Sequence, residues 1–225
     1  DSNKYERRNG DFDTISAVGE VSSIPYTTKN SFKKLDNFIS ETNDWIFGYL
    51  SYDLKNEIED LVSNNKTDFN LPNLFFFQPE KIWIIKSQTA EAHYIIENDI
   101  EKDWLLINSI NQKKYFKKTK KILFQPRINK VDYLKKVNKI LNHINRGDIY
   151  EVNFCMEWLA MKSDINPEIA FSKLNKLTKT PMSGFLKNNN FYLMSSSPER
   201  FIKKKGSKVI SQPIKGTAKR DSIMF

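Results

Sequence analysis

Two rhythms of apolar residues run through the chain, and the second half shows both. Val131, Leu134, Val137, Ile140, Leu141 and Ile144 share one helical stripe, with Gly147 placed to stop it. From Ile149 to Met161 the rhythm changes to period two: Tyr150, Val152, Phe154, Met156, Trp158 and Ala160 alternate with Glu151, Asn153 and Glu157, which predicts a strand. Asn166-Pro167 is an N-cap and first-turn pair, opening a helix with Ala170, Phe171, Leu174 and Leu177 on its inner face. Strands are predicted over 183–186 and 191–195, joined across Lys187-Asn188-Asn189-Asn190. Phe201-Ile202 and Val209-Ile210 then flank a polar run at Gly206, whose permissive backbone suits a hairpin turn.

The first half is less regular. Thr14–Val18 and Glu20–Ile24 read as short strands separated by Gly19. Phe32, Leu35, Phe38 and Ile39 predict a helix over 31–42 behind a serine N-cap, and 45–51 returns to strand. A short helix is expected over 56–61, then a polar loop over 63–70. Leu74–Phe77 and Ile82–Ile85 are strands about the Gln78-Pro79-Glu80-Lys81 turn, His93–Ile96 is another strand, and 100–110 is a helix. The aromatics of 74–77 have no interleaved basic residues, so they read as sheet core and not as a base-stacking platform.

This order of strands, helix, strand, helix and more strands, linked by hairpins, predicts an α+β fold on antiparallel or mixed sheets. It excludes a doubly wound nucleotide-binding sheet, and no glycine-rich phosphate loop is present. The Lys-rich stretch 113–130 is the best internal linker. It divides the chain into an N-terminal sheet-rich portion, 1–128, and a second region, 129–225.

The 225 residues are 39% hydrophobic and 13% aromatic, enough to build a core, which excludes a disordered chain. No run reaches the roughly 20 apolar residues of a membrane span, and no signal-peptide pattern opens the chain; the expected compartment is the cytoplasm, although the first residue is not Met. The net charge of +9 comes from Lys-rich runs such as 113–121 and 203–205, which read as solvated faces or turns. They lack nucleic-acid motif spacing, so no nucleic-acid or membrane partner is expected; the positive field suits a small anionic substrate. Cys155 is the single cysteine and reads as a packing residue. Two histidines, His93 and His143, are too few and too isolated for a zinc site or a triad.

The hairpin carries the candidate chemistry. If its strands pair symmetrically about Gly206, Glu199 lies opposite Pro213, and Lys215 is a diagonal neighbour within roughly 7–8 Å. A surface pair of this kind contributes at most about 1 kcal/mol. Its setting is more informative. Pro213 ends the ladder, Gly216 admits close backbone approach, and Thr217 adds a hydroxyl, so the amine stands where strand becomes loop.

Ser197-Pro198-Glu199-Arg200-Phe201, Pro213-Ile214-Lys215-Gly216-Thr217 and, upstream, Gly147-Asp148-Ile149-Tyr150-Glu151-Val152-Asn153 resemble three ordered signatures of the chorismate-utilising enzymes. That family includes component I of anthranilate synthase and of aminodeoxychorismate synthase. Gly48-Tyr49-Leu50-Ser51-Tyr52-Asp53 is similar to one of its N-terminal segments. The resemblance implies two stacked β-sheets with helices outside and the active site between them. It also implies chorismate as substrate, Mg²⁺ as cofactor, and ammonia, usually from a glutamine amidotransferase partner.

Lys215 occupies the position at which members differ: the anthranilate enzymes usually carry Ala, the aminodeoxychorismate enzymes Lys. The resemblance is thus closest to the latter, acting toward 4-aminobenzoate and folate. In the mechanism proposed for lysine-containing members, a neutral lysine amine attacks C2 of chorismate as the C4 hydroxyl leaves. Ammonia then adds at C4 and expels the lysine, giving 4-amino-4-deoxychorismate. By that correspondence Lys215 is the nucleophile, its amine kept neutral by desolvation or a nearby cation, Glu199 the acid that protonates the departing hydroxyl, and Gly216 and Thr217 substrate-binding residues.

Departures limit the transfer. Glu151 stands where Gln is common, and Gln212 where Arg often precedes the Pro-Ile-Lys-Gly-Thr run. The family's Mg²⁺ carboxylates, histidine segment and carboxylate-binding arginine are not found after Arg220, so the fold is expected to be incomplete at its C-terminus and the chain to be a fragment, inactive alone. Alternatives therefore stay open: another chorismate enzyme, such as anthranilate or isochorismate synthase, or a non-catalytic binding module of the same fold.

Overall fold

A computed structural model describes residues 2–3, 10–25, 29–65, 68–69, 71–96, 100–110 and 122–214. In chain order its elements are β1 (Thr14–Val18), β2 (Ser22–Ser23), α1 (Ser31–Thr42), β3 (Phe47–Leu50), a 3₁₀ turn (Tyr52–Glu57), β4 (Leu74–Gln78), β5 (Lys81–Lys86), β6 (Thr89–Tyr94), α2 (Ile100–Ser109), β7 (Gln125–Pro126), α3 (Lys130–Arg146), β8 (Trp158–Leu159), α4 (Pro167–Thr178), β9 (Met182–Asn188), β10 (Phe191–Ser197), β11 (Arg200–Lys205) and β12 (Lys208–Gln212). All described strand pairs are antiparallel. By compactness the chain forms two units, residues 1–111 with 171–225, and residues 112–170. This grouping cuts the chain differently from the sequence division near residue 128.

In the first unit, β4 and β5 are not a hairpin. β4 lies between β2 and β3, β5 lies between β1 and β6, and the chain passes from one sheet to the other through the buried Pro79. β4 lacks polar alternation because both of its faces are covered. Leu74 and Phe76 pack with Ile24, Leu54 and, from α1, Leu35 and Phe38. On the opposite face Phe75 and Phe77 stack at 5.8 Å, and Tyr49 beside Phe75 reaches Phe191 on β10 at 6.0 Å. An antiparallel sheet thus lies between a helix and a second pair of strands, the α+β layering that the pattern predicts. On the β9–β10 pair, Phe185 meets Phe171 of α4 at 5.4 Å.

Gly48 is fixed by this packing. A Cβ there would lie 1.8 Å from the Phe75 carbonyl oxygen, so the Gly48–Asp53 segment serves the close approach of β3 to β4. Asn30, in the left-handed region, precedes α1 and makes no side-chain cap. The fully buried Ser31 instead donates its N–H (2.8 Å) and hydroxyl (2.5 Å) to the Glu57 carboxylate, and the expected helix over 56–61 is replaced by the 3₁₀ turn that presents Glu57. α2 is fixed by Asp103, which accepts hydrogen bonds from Lys81 Nζ (2.6 Å) and Tyr94 Oη (2.7 Å), while Trp104 stacks on Trp83 at 5.7 Å.

In the second unit, α3 is capped by Asn129, whose side chain accepts the Asp132 N–H at 2.9 Å. Its C-terminus closes through Gly147 at φ 82°, with Gly147 N–H bonded to Ile144 O and Asp148 N–H to His143 O. The strand expected over 149–161 is reduced to Trp158–Leu159. Its alternation has only Gln125–Pro126 to pair with, and Pro126 offers no N–H, so the ladder stops after two residues. Cys155 is exposed, not packed. In the α3 stripe, Val131, Leu134 and Leu141 are exposed, as is Leu177 on α4. The first half of the expected linker, residues 113–121, lies outside the described residues.

Candidate functional site

The open end of the β11–β12 hairpin holds the described signature residues Ser197 to Phe201 and Pro213-Ile214. Gly206-Ser207 forms the turn, and Lys205↔Lys208, Lys204↔Val209 and Lys203↔Ile210 face each other, a register centred half a residue beyond Gly206. At the other end Arg200 faces Gln212, so Phe201 and Ile202 together oppose Ser211 alone: a β-bulge. The symmetric register expected about Gly206 therefore fails at the turn and is recovered at the open end, where continuing the ladder sets Glu199 against Pro213. Ser207 shares the turn because a two-residue loop closes the hairpin.

Glu199 is exposed, and its carboxylate oxygen Oε1 accepts the backbone N–H of Ile214 at 3.2 Å. Its own backbone is tied down by Ser197, whose hydroxyl accepts the Glu199 N–H (3.2 Å) and donates to the Glu199 carbonyl (2.9 Å). Arg200 Nε donates to Gln212 Oε1 at 2.9 Å across the strands. These contacts hold one carboxylate at the strand end next to the Pro213-Ile214 backbone. Lys215, Gly216 and Thr217 lie outside the described residues.

Lys203 corrects the reading of 203–205 as a solvated run. Its ammonium pairs with Asp11, and its side chain is 16% exposed. The Asp11 carboxyl is held below its usual range, chiefly by that hydrogen bond. Arg200, Lys203 and Ile210 are the half-buried residues of the hairpin; Glu199 and Phe201 are exposed. Arg200 and Lys203 share a face at a spacing of three because the bulge intervenes, whereas unbulged strands repeat in twos. Upstream in this unit, Ser196 at the end of β10 is hydrogen-bonded to Thr180 (2.7 Å) and to Thr178. Asn3 Nδ2 donates to Thr180 O and Asn175 Oδ1, both at 2.7 Å.

The Gly147–Asn153 signature belongs to the second unit. It begins at the α3 cap and runs through irregular backbone. Asp148 accepts from Arg146, Nε at 3.0 Å, and contacts His143 Nδ1 at 2.8 Å, and these two partners, Arg146 first, hold its carboxyl below the usual range. Glu157 takes a two-pronged contact from Arg127 at 2.9 and 3.1 Å.

Among the described residues no group of three or more His, Cys, Asp or Glu side chains could hold a metal ion. A hollow of about 500 Å³ at the end of α1, lined by Ile39, Asn43, Asp44 and Trp45, contains no signature residue. No described helix is long and apolar enough to cross a membrane.

The chain is 28% identical over 175 residues to aminodeoxychorismate synthase component 1 of Escherichia coli, covering 77% of this chain and 38% of that protein. It is 26% identical over 184 residues to anthranilate synthase component 1 of Thermus thermophilus, covering 78% and 40%. The chain thus spans about two fifths of the length of these relatives. Its fold matches the crystal structure of anthranilate synthase component I from Streptococcus pneumoniae with a TM-score of 0.70 at 17% identity, over 91% of this chain and 54% of that one. The sequence model of the chorismate binding enzymes matches residues 5–223, nearly the whole chain, and the chain belongs to that family.

Proposed function

We propose that this chain is part of an aminodeoxychorismate synthase component I, which converts chorismate and ammonia to 4-amino-4-deoxychorismate through a lysine nucleophile. The observation that carries the reading is the Glu199 carboxylate at the strand end, with Lys215 close by in sequence. Lys215 stands in the Pro-Ile-Lys-Gly-Thr run, and the Glu199 carboxylate is anchored on the N–H of Ile214, the residue before it in sequence. Glu199 is assigned as the acid that delivers a proton to the departing C4 hydroxyl. Lys215 is assigned as the amine that forms a bond to C2 as water leaves, and is released when ammonia bonds at C4. Gly216 and Thr217 are assigned to substrate binding.

Mg²⁺ would neutralise the substrate carboxylates when bound. The described residues offer no ligand set for it, so no step is assigned through the metal. A glutamine amidotransferase is the proposed ammonia donor, and the cytoplasm the proposed compartment. The second reading, anthranilate synthesis, is favoured by relatives of that name at similar identity.

Product identity separates the two. Protein from the complete reading frame is incubated with chorismate, ammonium and Mg²⁺, then with excess aminodeoxychorismate lyase. The first reading predicts 4-aminobenzoate. Anthranilate would replace it with the second.

A further inference from the structure

We propose that Arg200, Gln212 and Ser211 are positioning residues that lock the bulged register of the hairpin and thereby select the face on which the Glu199 carboxylate is presented. For its consequence in catalysis the inference rests on the assignment of Glu199 as the acid; for the register itself it does not.

From the turn, each facing pair sums to 413: Lys205 with Lys208, Lys204 with Val209, Lys203 with Ile210. Continued without interruption, that register would set Arg200 against Pro213 and Glu199 against Ile214. The bulge removes one step, so Arg200 faces Gln212 instead. Side chains alternate faces with every residue, so a one-residue slip exchanges the two faces of everything beyond it. With the bulge, Arg200 joins Lys203 and Ile210 on the half-buried face, and Glu199 falls on the exposed one. Without it, Glu199 would turn toward the face that Lys203 and Asp11 occupy.

A bulge leaves backbone groups without ladder partners, and something must hold the extra residue in place. Two side-chain contacts do so. Ser211 donates its hydroxyl to the Phe201 carbonyl at 3.3 Å, inside the bulge. Arg200 Nε donates to Gln212 Oε1 at 2.9 Å on the first pair beyond it. The latter is a charge-assisted bond between directly opposed residues and can form only in the shifted register. Phe201 and Ile202 do not hold it by burial, being 91% and 58% exposed.

The test replaces Gln212 by Leu, which cannot accept from Arg200, and by Glu, which can. Backbone NOEs across the strands of the 225-residue chain report the register. Wild type and Gln212→Glu should link residue 200 to residue 212, and Gln212→Leu should link residue 200 to Pro213. In protein from the complete reading frame, Gln212→Leu should lower kcat about 10- to 100-fold at unchanged KM, with recovery in Gln212→Glu. Ser211→Ala, which keeps the ladder intact, should shift the register partially and guards against an unfolded first variant. An unchanged NOE pattern in both Gln212→Leu and Ser211→Ala overturns the lock. A shifted pattern with unchanged kcat, or a change in KM alone, overturns the positioning role. Should the protein make anthranilate, the proposed product is wrong, while the register and the kcat of that reaction still decide this inference.

Discussion

The Glu199 carboxylate bonds a backbone N–H on the neighbouring strand, so its position follows the hairpin more than its own rotamer. Glu199→Gln keeps the shape and removes the proton; kcat in the complete protein should fall about 10²- to 10⁴-fold with little change in KM, as loss of a general acid does. A KM effect alone would make Glu199 a binding group. Asp103 allows a pH test. Hydrogen bonds from Lys81, then Tyr94, hold its carboxyl below the ordinary 3.8. A depressed carboxyl contributes stability that is fully present above its unfolded value and is lost as pH falls through the folded value. The melting-temperature gap between wild type and Asp103→Asn should therefore be constant near neutrality and narrow below pH 3.8. A gap independent of pH would assign the loss to packing. At this scale the strand-and-turn pattern in the sequence puts Glu199 at the hairpin's open end, where its carboxylate meets the Ile214 N–H. It did not reveal Asp11 with Lys203, or Ser31 with Glu57, since such pairs depend on tertiary proximity that no local spacing encodes.

Among elements, α1 illustrates a cap supplied from a distance. Ser31 is fully buried, and Glu57 accepts both of its donors; Glu57→Ala should cost about 1–3 kcal/mol in denaturant unfolding by leaving them unpaired. A smaller loss would mean that water replaces the carboxylate. At β3, Gly48→Ala drives a Cβ into the Phe75 carbonyl and should cost about 3 kcal/mol or more, read from the same unfolding curve; a near-neutral change would contradict the close approach of β3 to β4. The elements with long, coherent rhythms were legible, α3 and the β9–β10 hairpin among them. The segment 149–161 has the alternation of a strand without the partner to make it one, and β4 and β5 looked like a hairpin although they belong to different sheets. Periodicity reports which face of a segment is apolar; pairing is decided elsewhere in the chain.

At the scale of the whole molecule, family and layering were readable from three short motifs and the order of elements, and a match over residues 5–223 bears out the family. Among the described residues no cluster of His, Cys, Asp or Glu could hold a metal ion. The chain also exposes Val131, Leu134 and Leu141 along α3, and Phe201, Ile202 and Val209 on the hairpin. Apolar surface of this kind marks association. The 225-residue chain should therefore bind a hydrophobic dye; no dye binding would show that these side chains are covered in solution. Lys215 is proposed to bond to the substrate, and the most direct measurement of that bond is the mass of the complete protein after incubation with chorismate and Mg²⁺ in the absence of ammonia. An adduct of chorismate less one water is expected, mapped to the peptide holding Lys215, discharged by ammonium as 4-amino-4-deoxychorismate and absent from Lys215→Ala. Full production of 4-amino-4-deoxychorismate by Lys215→Ala, with no adduct in wild type, would contradict it.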